Sequence, residues 1–113
     1  MSGILSGVDF YMDEDLKLGG NIELSGFKVV SRAEMVVVKK IVGSYARKFS
    51  DNIKGYESLK INVKEVHKSE GSGKFEIHAV LSINGKVEST EITERNIFVG
   101  VDSVLKKLES TLF

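Results

Sequence analysis

Between Phe75 and Ile83 every second residue is apolar: Phe75, Ile77, Ala79, Leu81 and Ile83 are interleaved with a set that includes Glu76, His78 and Ser82. Successive side chains of a strand point to opposite faces, so this run specifies a strand with one face buried and the other in water. Asn84-Gly85 follows at once, and both residues tolerate the positive φ that a tight type I′ hairpin turn requires. The segment is thereby committed to an antiparallel hairpin in a sheet covered on one side. A chain of 113 residues can bury one core but not two, so every other element has to cover that same face.

The remaining periodicities supply those elements. Ile22 and Leu24 alternate with polar neighbours and are closed by Ser25-Gly26, which reads as a short first strand. Ser31 and Glu34 have capping-box spacing, in which the serine accepts from the backbone three residues on and the glutamate reaches back. Met35, Val38, Val42, Tyr45 and Phe49 then recur at steps of three and four, a core-facing stripe on a helix running to about Ser50. Leu59, Ile61 and Val63 alternate with Lys60, Asn62 and Lys64 as a half-buried strand, and Lys68 to Gly73 is a hairpin loop. A strict two-residue turn at Asn84-Gly85 pairs Val87 with Ser82, on the face opposite Leu81. The last strand is therefore out of phase unless a bulge or longer loop intervenes. Thr93 is placed to cap a final helix, whose stripe is Ile97, Val101, Val104, Leu105, Leu108 and Leu112. The expected architecture is α+β, in the order β-α-β-β-β-α: one four-stranded mixed sheet with two helices packed on one face. The first crossover joins parallel strands in the right-handed sense.

Residues 1–20 stand apart as an acidic extension, either flexible or an extra edge strand, ahead of a single domain over residues 21–113. They carry Asp9, Asp13, Glu14 and Asp15 against Lys17, a charge of −3. The formal net charge of the chain is 0, so the remainder holds +3. Ile4, Leu5, Val8, Phe10 and Tyr11 in that extension offer a surface for self-association. With no cysteine, disulfides and thiolate chemistry are excluded, and a reducing, cytoplasmic setting is expected. No apolar run approaches the ~20 residues of a membrane span, and no signal-peptide pattern opens the chain. The two histidines, His67 and His78, fall at separate positions of the sheet, so neither a metal site nor a cofactor is expected. Gly71-Ser72-Gly73 joins two strands and lacks the lysine of a phosphate loop. Nothing points to an enzyme.

The first helix carries more information. Arg32, Lys39, Lys40 and Arg47, placed at 100° per residue, occupy a sector of roughly 80–100° away from the apolar stripe. Glu34 is the one acid in the expected helix. Such a ridge suits phosphate contacts, which are insensitive to base sequence. It also fits a plain solvated helix face. The second helix adds Arg95, Lys106 and Lys107, offset by Glu94, Asp102 and Glu109.

From Asn21 to Phe113 the sequence resembles the ribosome hibernation promoting factor and ribosome-associated inhibitor family, the sigma modulation proteins, in their short form. The residues that carry the resemblance are Ser25-Gly26 after the first strand, Arg47-Lys48-Phe49 late in the first helix, Asn96-Ile97-Phe98-Val99-Gly100-Val101-Asp102, and Lys107-Leu108-Glu109. The resemblance implies a fold like a double-stranded-RNA-binding domain with an added strand. It also implies a non-enzymatic translation inhibitor that occupies the small ribosomal subunit near the decoding region during stress. The RNA-contacting candidates are then Lys28, Arg32, Lys39, Lys40, Arg47, Lys48, Lys106 and Lys107. Three positions depart from the family pattern: Ile41 and Ser44 stand where it has lysines, and Ser110 where it has arginine. The family's basic tail is also expected to be missing after Phe113. The alternative reading is a protein-interaction module on the same fold, a homodimer through residues 1–20 or the open sheet face.

Overall fold

The Asn84-Gly85 turn has φ of 50° and 80°, as a type I′ hairpin requires. The structure, a computed structural model, describes residues 16–18, 21–67 and 73–112. The turn joins β4 (Gly73–Ile83) to β5 (Lys86–Glu94), and β4 in turn lies antiparallel to β3 (Tyr56–His67). A short strand, β2 (Ile22–Ser25), pairs parallel with β3 across the crossover helix α1 (Arg32–Asn52). The second helix, α2 (Ile97–Leu112), ends the described chain. The expected α+β order of four strands and two helices is present. One further strand, β1 (Leu16–Leu18), lies antiparallel to β2 and extends the sheet to five, in the order β1-β2-β3-β4-β5. The rest of the acidic extension, including Ile4, Leu5, Val8, Phe10 and Tyr11, lies outside the described residues, as do residues 68–72 of the β3–β4 loop.

Burial follows the sequence periods closely. Ile22, Leu24, Leu59, Ile61, Val63, Ile77, Ala79 and Leu81 form the covered face of the sheet, all with at most 5% of their surface exposed. Met35, Val38, Val42, Ala46 and Phe49 of α1, and Ile97, Gly100, Val101, Val104, Leu105 and Leu108 of α2, pack down onto it. Ser31 accepts from the Glu34 N–H at 3.2 Å, and the Ser31 N–H donates to the Glu34 carboxylate at 3.0 Å. The capping box is thus closed in both directions. Where Gly100 faces the sheet, a Cβ would run into Ile77, so the missing side chain sets how closely the first turn of α2 approaches β4.

At the C-terminal half one expectation is met and one needs correction. The two-residue turn gives the strict register that its spacing predicts, Ser82 opposite Val87 and Ile83 opposite Lys86, with no bulge to restore the apolar phase of β5, and Val87 is left 62% exposed. The core-facing positions of β5 are consequently Glu88, Thr90, Ile92 and Glu94 by alternation. Thr90 resolves the mismatch by donating its hydroxyl to the Val104 carbonyl of α2 at 2.9 Å. Nor does Thr93 cap α2, because it belongs to β5. Asn96 does so instead, its side-chain oxygen accepting from the N–H groups of Phe98 (2.9 Å) and Val99 (3.1 Å).

Gly26 closes β2 with φ of +77°, and a Cβ there would collide with the Val63 carbonyl of β3. Gly26→Ala should therefore lower the unfolding free energy by about 2–4 kcal/mol, combining left-handed backbone strain with overpacking. Urea denaturation followed by circular dichroism checks this, and a change below about 0.5 kcal/mol would contradict it.

Candidate nucleic-acid interface

One side of α1 is claimed by the core and another by α2. Tyr45 donates its hydroxyl to Asp102 of α2 at 3.0 Å, and Lys48 forms an ion pair with Glu109. These two links advance in the same direction along both helices, which therefore run parallel. At about 100° per residue, Arg32, Lys39, Lys40 and Arg47 lie on the remaining side, turned roughly 160° from the Tyr45–Lys48 edge. Arg32, Lys40 and Arg47 are exposed and Lys39 is partly so. No carboxylate of α1 falls within that sector. The helix extends past Ser50 to Asn52 and so includes Asp51, an exposed acid one turn beyond Arg47.

The other four candidates do not join this row. Lys28 is exposed on the 3-10 turn (Phe27–Val29) that leads into α1. Lys48 is held at the seam between the helices by Glu109, so its charge is already matched there. Lys106 is exposed on α2, near the same seam by helical arithmetic. Lys107 points the other way, donating to the Glu91 carbonyl of β5 at 3.2 Å. In a hairpin closed by a two-residue turn, Glu91 belongs to the positions whose carbonyls point away from β4, so Lys107 occupies part of the sheet's outer edge. The cations of the two helices do not converge on one groove. The basic ridge belongs to α1 alone.

The open sheet face is mostly polar, with Val80 and the exposed Val87 as its apolar residues on β4 and β5. His78 stands opposite Asn62 on β3 and Glu91 on β5, with Glu91 at 3.4 Å from Nδ1 and Glu76 at 3.5 Å from Nε2. Its partner in sequence, His67, lies opposite Gly73 at the far end of the ladder. Among the described residues no three acidic or histidine side chains are grouped to hold a metal ion, and no helix is long and apolar enough to cross a membrane.

No protein-family model matches the sequence, and no curated protein matches it either. Solved structures do match. A ribosomal subunit interface protein from Coxiella burnetii superposes with a TM-score of 0.57 at 18% identity, over 81% of this chain and 92% of its own. The chain has the same fold as that ribosomal subunit interface protein. The N-terminal domain of Protein Y from Thermus thermophilus gives a TM-score of 0.52 at 13% identity, over 86% of this chain and 96% of its own. The covered share is close to the four fifths of the sequence, Asn21 to Phe113, that carries the resemblance to the hibernation family. At these identities the likeness lies in the fold.

Sequence reasoning missed the seam. Tyr45, on the core stripe by its spacing, packs against the core only in part and serves as the hydrogen-bond link to α2. Burial, the Asp102 hydrogen bond and the negative charges of Asp102 and Glu109 push its hydroxyl up from 10.0 to about 12. The neutral phenol is favoured in the folded state. Its contribution to stability is fully present below pH 10 and is lost as pH rises through the folded value near 12. Wild type should lose stability between pH 10 and 12 more steeply than Tyr45→Phe, read from urea midpoints at each pH. Equal slopes would show that the Tyr45–Asp102 link is not formed. At neutral pH the same substitution should cost about 1 kcal/mol.

Proposed function

We propose that this chain is a non-enzymatic ribosome-associated protein of the hibernation type, which binds small-subunit rRNA through phosphate contacts and restrains translation under stress in the cytoplasm. The observation that carries this reading is the exposed basic side of α1, with Asp51 as the one acid at its C-terminal edge, displayed on the fold of a ribosomal subunit interface protein. Lysine and arginine in a row of this kind release condensed counterions from a phosphate backbone whatever the base sequence. Among the described residues large exposed aromatics for stacking bases are scarce: Phe27 is buried and Phe98 is half-buried against the core. Backbone contact is therefore the better-supported mode.

The placement of the lysines narrows the contact set. Arg32, Lys39, Lys40 and Arg47 form its centre, with Lys28 ahead of them. Lys48 would have to leave Glu109 to contribute, and Lys107 would have to leave Glu91. Self-association through the open sheet face has less behind it, because Lys60, Asn62, Lys64, Glu76 and His78 surround its apolar residues Val80 and Val87 with polar and charged groups.

Wild-type protein should co-sediment with small ribosomal subunits at low salt and dissociate as salt rises. The double charge reversal Lys40→Glu with Arg47→Glu should weaken binding at least about tenfold and lower the slope of log affinity against log salt by about 2, one for each lost phosphate contact. Failure of wild type to co-sediment, or an unchanged affinity after the reversal, would overturn the proposal.

A further inference from the structure

The middle of α1 is occupied by Gly43, a residue that only proline exceeds as a poor helix former. Two other glycines of the fold are explained by packing: Gly26 stands against the Val63 carbonyl, and Gly100 against Ile77 and Glu94. Gly43 has no such neighbour. A Cβ built there meets nothing within 4 Å, and the backbone carries no positive φ that would favour glycine. Among the described residues nothing requires a missing side chain at this position.

Its place on the helix surface supplies a reason from outside. At about 100° per residue Gly43 lies near the centre of the basic ridge, with Arg32 and Lys39 on one flank and Lys40 and Arg47 on the other. At ~1.5 Å rise, Lys39 and Lys40 sit about 5–6 Å toward the N-terminus and Arg47 about 6 Å toward the C-terminus. Val36, two turns earlier on nearly the same line, is 57% exposed and uncharged. The ridge is thus two rows of cations on either side of a low, uncharged strip whose lowest point is Gly43.

Resting on the ribosome-associated reading above, we propose that Gly43 is the point of closest approach between α1 and an RNA strand. A ribose–phosphate segment lies against the bare helix backbone there, and its flanking phosphates are taken up by the two cation rows. A polyanion is the occupant that the charges select, since four cations and no carboxylate of α1 face this strip. RNA also needs a close approach, because its backbone sugars must descend between the long side chains for the phosphates to reach both rows. Glycine appears in a helix at the cost of helix propensity where a ligand backbone has to come near.

The test uses Gly43→Ala and Gly43→Gln, which change no charge, with binding measured against salt-washed small ribosomal subunits and against a short RNA duplex of arbitrary sequence. Open space at Gly43 means that Gly43→Ala should fold with a raised melting temperature, so any loss of binding cannot be ascribed to unfolding. Gly43→Gln should bind both RNAs at least about tenfold more weakly, Gly43→Ala less severely, and the salt slope should change little because the cations remain. If both variants bind as wild type does while the Lys40 and Arg47 reversals do not, the role of Gly43 is overturned and the ribosome reading stands. If wild type binds the duplex but not the subunit, and Gly43→Gln weakens the duplex, the ribosome reading falls and the contact at Gly43 stands. Absence of wild-type binding to either RNA overturns both.

Discussion

The fully buried apolar surface of this sheet lies on one side, because β3 and β4 keep apolar residues at every inward position of the paired core and mostly polar ones, Val80 excepted, at the outward positions. Leu59, Ile61, Val63, Ile77, Ala79 and Leu81 share the covered face, while Lys60, Asn62, Lys64, Glu76 and His78 share the other. Both helices must then lie side by side on the same face, since neither has a second apolar surface to occupy. Each helix is left with a side against the sheet, a side against its neighbour and a free side. For α1 the neighbour side is the Tyr45–Lys48 edge, held to α2 by Asp102 and Glu109. Its free side is the basic ridge. The location of the candidate site thus follows from the one-sided burial of the sheet.

The same constraint separates what was legible in the sequence from what was not. A repeat of two or 3.6 residues reports where a side chain lies around its own strand or helix axis, and those positions are realised at Met35, Val38, Val42, Phe49, Val101, Val104 and Leu105. A local hydrogen bond reports a boundary, as Ser31 and Glu34 do. Neither reports which flank of a helix its neighbour will take. Lys48 and Lys107 therefore looked equivalent to Lys40 and Arg47 in sequence, although Lys48 is matched by a carboxylate of α2 and Lys107 is drawn down to the edge of β5. Gly43 was legible in principle: helical arithmetic alone puts it between the cations, but its open surroundings need the packed structure.

The phase mismatch of β5 and the misassigned cap of α2 have one source. The Asn84-Gly85 turn is geometrically strong enough to impose its register on a strand whose apolar residues are out of phase with it. With Ile92 the one apolar side chain on the inward positions of β5, cover by α2 has to come partly from a hydrogen bond, which Thr90 makes to Val104. Thr93 faces away from α2 in that register and leaves the cap to Asn96, the residue nearest the first turn with a suitable side-chain oxygen.

A formal net charge of 0 would ordinarily argue against a partner as anionic as RNA. What a polyanion meets, however, is the charge within about one Debye length, ~8 Å at physiological ionic strength, and not the chain average. The fold sorts its charges on that scale. Asp102 and Glu109 are turned into the seam, where Tyr45 and Lys48 use them, and Glu34 is used by the Ser31 N–H. These three carboxylates are thereby committed to holding the two helices together or capping them, while Arg32, Lys40 and Arg47 remain outward beside the exposed Asp51. A neutral composition and a locally cationic surface are compatible here because Asp102, Glu109 and Glu34 do structural work within the helix layer, leaving Arg32, Lys40 and Arg47 exposed on the free side of α1 with Asp51 as the acid of that helix at its C-terminal edge.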